Sequence, residues 1–171
     1  DIEVIQTELC LADLAAAEKA LHRVTKTARS GDKESIKLVA ILEKCQAALN
    51  EAKPVRTLEF TKEELPLVRS FSLIAAKPAM FVGNVAEDGF ENNPYLDRLR
   101  EYADKQGAPV VAICAKIEAD LAEMDDEDKK MFLAEIGQDE PGLNRLIRAA
   151  FKLLGLQTYF TAGVKEVRAW T

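Results

Sequence analysis

Ala79-Met80-Phe81-Val82-Gly83-Asn84-Val85-Ala86-Glu87 is an apolar run that stops at an amide and then a carboxylate, the pattern of a strand ending in a ligand-facing loop. A second apolar run, Val110-Val111-Ala112-Ile113-Cys114, stops at Ala115-Lys116. Between them Asn93 caps and Pro94 opens a helical stretch that reaches about Gln106, where Gly107 ends it. Strands are thus predicted over residues 79–83 and 109–114, joined by a helix. Such a βαβ unit crosses over right-handedly in nearly all proteins and leaves its strands parallel.

Ligands of open α/β sheets sit beyond the carboxyl ends of the strands, and neighbouring strands lie ~4.8 Å apart. The loops at Asn84 and Ala115 are therefore placed to reach one ligand. An asparagine side chain both donates and accepts, so it matches the N7 acceptor and N6 amino donor of adenine, or N7 of guanine. Ala115 and Lys116 offer backbone N–H groups or an aliphatic stem. The plain alternative is that Asn84 caps a turn. A Gly-x-x-x-x-Gly-Lys-Ser/Thr phosphate loop occurs nowhere among the eight glycines, so the sequence carries at most half of a nucleotide pocket.

Upstream, Val4, Leu11, Leu14, Leu21 and Val24 recur at helical intervals from Ile2 to about Arg29, with Ile5, Leu9 and Ala12 beside them. Ser30-Gly31-Asp32 breaks the helix and caps a second one, in which Leu38, Ile41, Cys45 and Ala48 repeat until Lys53-Pro54. The result is a helical hairpin with arms of ~30 to 40 Å, too long to be buried in so small a protein. A turn near Gly31 sets Cys45 opposite position 17, ~10 Å along the axis from Cys10, too far for an undistorted disulfide. An extended stretch is expected from Val55 to Phe60, then a helix with capping-box spacing at Thr61 and Glu64. Two helices follow, one through Asp128 to Ile136 and one opened by Pro141 and closed by Gly155. The tail reads as a β-hairpin, Thr158 to Thr161 and Val164 to Trp170 around Ala162-Gly163.

At 171 residues and 48% hydrophobic composition the chain buries a sizeable core. A net charge of -6 excludes nucleic-acid binding by the whole surface, yet the charge is lopsided. From Lys19 to Lys37 six cations face two carboxylates, a local +4, whereas from Glu118 to Glu140 ten carboxylates face two lysines, a local -8. Three scattered cysteines, Cys10, Cys45 and Cys114, make no disulfide framework and fit a reducing cytosol. No apolar stretch approaches the ~20 residues of a membrane span, and the start has no signal-peptide pattern.

Asn84 to Glu87 and Cys114-Ala115-Lys116 resemble the fourth and fifth base-recognition motifs of translation-factor-class P-loop GTPases, which read Asn-Lys-x-Asp and Ser-Ala-Lys. In those GTPases the Asp accepts two guanine hydrogen bonds. Glu87, one methylene longer, and Val85 in place of Lys undo that clamp. With Gly89 to Asp97 and Gln157 to Gly163, the variant closely resembles the YchF subfamily of Obg-like ATPases along essentially the whole chain.

The resemblance implies an α/β fold: a partial P-loop NTPase with a parallel sheet and helices, an inserted antiparallel coiled-coil hairpin, and the start of a β-grasp (TGS) domain. The corresponding segments are 1–53 for the hairpin, 54–155 for the C-terminal part of the nucleotide domain and 156–171 for the TGS start. It also implies a cytoplasmic hydrolase that prefers ATP to GTP, uses Mg²⁺ and associates with ribosomes in translation or its regulation. Asn84 and the Val85 backbone would meet the adenine edge, Ala115 and Lys116 would close the other side, and Glu87 would mark the missing guanine clamp. The phosphate loop and Mg²⁺ ligands are expected upstream of Asp1, so this stretch alone should not hydrolyse ATP. A sheet missing its first strands exposes apolar edges, and poor solubility of the isolated piece is expected.

The basic arm, with Arg23, Lys26, Arg29 and Lys33 near its tip, is a candidate contact for RNA or the ribosome. The competing class is a non-enzymatic interaction module using that arm to bind RNA or protein. His22 reads as a solvated helix residue, and Met124-Asp125-Asp126-Glu127-Asp128 as an acidic helix-capping loop rather than a metal site. No membrane partner is expected, and a monomer is.

Overall fold

The computed structural model describes residues 1–170. Thr171, the last position of the segment expected to begin a TGS domain, lies outside the described residues. The chain forms two compact units, Asp1–Lys77 and Pro78–Thr171.

The first unit is built on the hairpin of α1 (Ile2–Ala28) and α2 (Lys33–Asn50). Its turn works because Gly31 takes a φ of +87°, a value that side chains disfavour, and the Asp32 carboxylate accepts the Ser35 N–H at 2.8 Å to cap α2. Hydrogen bonding from the Ser35 side chain, and then from its backbone N–H, holds the Asp32 carboxyl below the usual carboxylate range. Small residues let the helices approach: Cys10, Ala17 and Cys45 lie with Leu42 and Leu49 in one buried cluster. All three cysteines are free, and burial pushes the Cys45 thiol up to about 11, because a thiolate there would lose its water. The second helix stops at Asn50 rather than at Pro54: Ala52 turns with a φ of +53°, and its carbonyl accepts from Gln6 Nε2 on α1.

Residues 54–77 pack on this hairpin, so the compact unit reaches Lys77, past the boundary at residue 53 expected for the arm. Where an extended stretch is expected, Pro54 instead leads into a 3₁₀ turn, Val55–Thr57, because its carbonyl accepts both the N–H and the hydroxyl of Thr57. Beyond it, Lys44 ties the segment to α2 by donating to the Glu59 carbonyl and lying 4.6 Å from the centre of the Phe60 ring. The Thr61 and Glu64 box is formed: Glu64 Oε2 accepts the Thr61 N–H at 2.8 Å and Thr61 Oγ1 accepts the Glu64 N–H at 3.3 Å, opening α3 (Glu64–Ser70). Val55, Val68, Leu73 and Ala75 complete the core.

One polar side chain joins that core. Asp13, on α1 and only 3% exposed, accepts the N–H of Ile74 at 2.8 Å and of Ala75 at 2.6 Å, the first two donors of the 3₁₀ turn Ile74–Ala76. A buried carboxylate is tolerable when backbone donors surround it in this way.

The second unit starts from β1 (Phe81–Asn84) and β2 (Val110–Ile113), parallel and joined through α4 (Pro94–Asp104). The strands are shorter than expected. Ala79 and Met80 precede the ladder, whose first bond runs from the Phe81 N–H to the Pro109 carbonyl, and Asn84 belongs to the strand rather than to the loop. Asn93 Oδ1 accepts the N–H groups of Tyr95 and Leu96, the predicted cap. A helix absent from the sequence reading follows β2 without a turn: α5 (Ala115–Glu123), whose Ile117 and Leu121 bury against Cys114 and Leu133. Asp125 then caps α6 (Asp126–Glu135), two residues earlier than expected. Pro141 and Gly155 bound α7 (Gly142–Leu154) as predicted. The terminal hairpin, β3 (Tyr159–Ala162) and β4 (Val167–Trp170), turns over Gly163 to Glu166 rather than at Ala162-Gly163, because the Gly163 N–H donates to the Glu166 carbonyl. Every described residue of it is exposed. No described helix is long and apolar enough to cross a membrane.

Replacing Asp13 by Ala strips two backbone donors of their acceptor and should lower stability by about 3 kcal/mol, with Asp13→Asn losing less because one amide oxygen still accepts. Urea melts should show a fall in midpoint at unchanged slope.

Candidate functional site

The carboxyl ends of β1 and β2 lie level, with Asn84 registered against Ile113. The next residue on each strand does something different. The Val85 N–H donates to the Ile113 carbonyl at 2.8 Å and extends the ladder, while its side chain packs with Phe90 against Cys114 and Ile117. On the other strand α5 begins at once, so the N–H groups of Ala115, Lys116 and Ile117 open a helix and have no partner within it.

Asn84 closes the gap. Its Oδ1 accepts the Ala115 N–H at 3.0 Å, linking the two strand ends. The amide is thereby oriented, and the group it has left to offer is the Nδ2 donor. A donor alone matches N7, which adenine and guanine share, and does not read the exocyclic N6. The two-sided match expected for this residue is therefore reduced to a one-sided one, and the Val85 N–H is likewise committed to the sheet.

A second link crosses the same gap. Lys116 Nζ lies 2.6 Å from Glu87 Oε1, with both side chains more than half exposed. The hydrogen bond that Lys116 donates to Glu87, and then the charge of that carboxylate, raise the Lys116 ammonium above the ordinary lysine value. The turn carrying Glu87 is tight. The Gly89 N–H donates to the Ala86 carbonyl, and a Cβ at Gly89 would come within 3.2 Å of Ala86 backbone atoms and the Val85 Cβ. Asn93 Nδ2 braces the loop by donating to the Gly89 carbonyl at 2.9 Å.

Two supporting residues escaped the sequence reading. Glu118 on α5 accepts the Gly142 N–H at 2.7 Å and the Leu143 N–H at 3.2 Å, fastening the start of α7 to the helix that bears Lys116. The approach is close: a Cβ at Gly142 would sit 2.7 Å from the Glu118 carboxylate, which would have to shift. Arg145 on α7 donates to the Ala112 carbonyl at 3.3 Å. Carbonyls of alternate residues, Pro109 and Ile113, point to β1, so the Ala112 carbonyl lies on the far edge of β2, and Arg145 blocks it against further pairing. The only sequence signal for these roles was an acid and a cation set among the apolar positions of two helices.

In the other unit, Arg23, Lys26, Arg29 and Lys33 are all exposed around the hairpin turn, as is His22. Asp32, the acid nearest the turn, has its carboxylate engaged in the cap. Among the described residues no group of three or more His, Cys, Asp or Glu side chains is arranged to hold a metal ion.

No family model matches the chain. Individual proteins do. The ribosome-binding ATPase YchF of Escherichia coli O157:H7 is 58% identical over all 171 residues, which span 47% of that protein. The protein of the same name from Bacillus subtilis (strain 168) is 47% identical over 174 aligned positions, covering 100% of this chain and 48% of its own length. A solved structure of the Schizosaccharomyces pombe YchF GTPase superposes with a TM-score of 0.87 at 27% identity, over 99% of this chain and 47% of that one. The chain thus spans about half the length of the curated relatives it matches, and its fold is a partial P-loop NTPase-like α/β fold.

Two substitutions separate the bracing role of Asn84 from its donor. Asn84→Asp keeps an oxygen for the Ala115 N–H and should leave the melting midpoint nearly unchanged, whereas Asn84→Ala should lose about 1 kcal/mol in a denaturant titration.

Proposed function

Because the chain is homologous to the YchF proteins along its whole length, we propose that it is the base-recognition half of an ATP-preferring nucleotide hydrolase that acts at the ribosome in translation or its regulation. The observation that carries this reading is the convergence of Asn84 and Ala115-Lys116 at the level ends of two parallel strands. The donors there fit a purine: Nδ2 of Asn84 for N7, with the opening N–H groups of α5 beside it. Val85 contributes its backbone to the wall and its side chain to the core beneath. ATP, when bound, supplies the phosphoryl group for transfer. Asn84, Ala115 and Lys116 hold and orient its base.

Mg²⁺ and the phosphate chain need a donor set of a different kind, carboxylates, hydroxyls and a glycine-rich turn. Among the described residues no His, Cys, Asp and Glu side chains are gathered to hold a metal ion, and the sequence has no phosphate loop, so we assign those ligands to other parts of the gene product and no hydrolysis to these residues alone. The site in a cytoplasmic monomer is the simplest setting for such an enzyme.

The second element of the proposal is the hairpin tip. Four exposed cations, Arg23, Lys26, Arg29 and Lys33, surround a turn whose nearest acid is engaged in a cap. Phosphate-rich surfaces are bound by such clusters with strong salt dependence, and ribosomal RNA is the phosphate-rich surface we assign. A non-enzymatic module would use the same tip, but would leave Asn84 only its bracing role.

Calorimetric titration of the complete gene product with MgATP tests the base site. Asn84→Asp should weaken binding about fivefold or more by losing the donor without losing the fold. Unchanged affinity would leave Asn84 a brace. Reversing Arg23, Lys26 and Arg29 to Glu should abolish ribosome co-sedimentation at low salt while ATP affinity stays constant; retained sedimentation removes the tip from the interface.

A further inference from the structure

Alternate residues of β2 face opposite edges of the sheet. Pro109, Val111 and Ile113 turn their backbone groups to β1, so the N–H and C=O of Val110 and of Ala112 face outward. One of these four groups is taken: the Ala112 carbonyl accepts from Arg145 Nη2 at 3.3 Å. Among the described residues nothing meets the other three. An unpaired strand edge is a template for a further strand, and proteins blunt such edges or use them. A cavity of about 400 Å³ opens on this one, lined by Val110 and Ala112 together with Phe90, Arg100, Gln138 and Arg145. That is within the size range of ligand pockets.

The lining selects for negative charge. Arg145 Nη1 donates to Gln138 Oε1 at 2.8 Å and to the Glu140 carbonyl at 3.3 Å, which leaves Gln138 its Nε2 donor. A guanidinium has five N–H groups, so Arg145 retains donors after these bonds and the one to Ala112. The Phe90 ring, with its centre 6.0 Å from the Arg145 guanidinium carbon, gives a flat apolar wall. Arg100 pairs with Asp97 at 3.0 Å, but with side chains 51% and 60% exposed that pair is weak and leaves the guanidinium able to turn to a ligand. Of the three open backbone groups, only the Val110 carbonyl is an acceptor.

A strand laid parallel to β2 uses those three groups in order. One of its carbonyls accepts the Val110 N–H; two residues on, its N–H donates to the Val110 carbonyl and its own carbonyl accepts the Ala112 N–H. The next bond of the ladder would need the Ala112 carbonyl, which Arg145 holds. The added strand therefore stops there, with its carboxyl end beside a guanidinium. Laid antiparallel, it would bring its amino end to the same cation. Charge chooses the parallel direction.

We propose that the outer edge of β2 is a peptide-binding site, taking an extended segment of about three residues parallel to β2 and receiving a carboxylate at its end against Arg145 and Arg100. That carboxylate is the segment's C-terminal group or an acidic side chain at the same place. Backbone pairing supplies the grip, and the one charge supplies direction and selectivity.

The test uses the complete gene product and a fluorescein-labelled hexapeptide of alternating threonine and valine in three forms: with a free carboxyl end, with a carboxamide end, and with a carboxamide end after a final glutamate. Fluorescence anisotropy at low ionic strength should show the free acid or the glutamate form binding about fivefold or more tighter than the plain amide. Which of the two does so identifies the source of the carboxylate. Hydrogen exchange at the Val110 and Ala112 amides should slow in the complex. Val110→Pro removes an outward donor and leaves the ladder to β1 intact, so it should weaken the tight form about fivefold. Arg100→Gln, an exposed change, should shrink the advantage of the acid over the amide. Equal binding of all three forms, or binding of none, overturns the inference. So does an advantage unmoved by Arg100→Gln together with unaltered exchange at residues 110 and 112, whether or not Val110→Pro folds.

Discussion

Two four-residue strands running the same way and ending at the same level are the constraint on which the second unit depends. Parallel strands put both of their carboxyl ends at one edge of the sheet, and the crossover through α4 is what permits that arrangement in a continuous chain. Only with Asn84 opposite Ile113 does the Asn84 amide meet the Ala115 N–H. Slipping one strand by a single residue would turn Asn84 to the other face and bring Gly83 or Val85 into its place. The immediate start of α5 adds to the effect, because it brings unpartnered backbone donors to the same edge without an intervening loop.

The helical unit is organised by a different economy of groups. Its two long helices meet through cysteines and alanines, which permit close approach but bury little area per residue. Larger side chains come from α2, with Ile41, Leu42 and Leu49, and from residues 54–77, where Val55, Val68 and Leu73 close the core. That segment has few helical or sheet bonds of its own, so side chains hold it: Asp13 takes the N–H groups of Ile74 and Ala75, Lys44 takes the Glu59 carbonyl, and Thr61 with Glu64 satisfy each other. These anchors lie away from the turn, and the exposed cations at Arg23, Lys26, Arg29 and Lys33 are left out of the packing.

The long helices, the capping box at Thr61, the cap at Asn93, the βαβ unit and the bounds of α7 were legible in the sequence because each rests on local chemistry: periodicity, a cap, a proline or a glycine. The failures have a common cause in long-range bonds. Residues Val55 to Phe60 look extended until the Pro54 carbonyl and Lys44 are seen to fold them onto α2. Helix α5 was hidden because Glu118, Asp120 and Glu123 made its polar face look like part of an acidic run, although Ile117 and Leu121 have helical spacing. At the strand ends, the convergence of the Asn84 and Ala115 loops was readable, but the direction of the Asn84 amide was not. Which of its two ends meets Ala115 is decided by the register of a strand 29 residues away.

The same limits bear on how much of a nucleotide this half of a pocket holds. One neutral hydrogen bond contributes about 1 kcal/mol net, and an exposed ion pair adds up to about 1 kcal/mol more. Micromolar binding requires about 8 kcal/mol. On the proposed reading, contacts to the base by Asn84 and Lys116 would therefore not be the source of affinity, which would come from the charge-assisted bonds that a triphosphate and its cation make. On the proposed reading, what these loops would control is the difference between two bases that share every phosphate contact. In a difference, the large common terms cancel, and a contribution of about 1 kcal/mol is a fivefold preference.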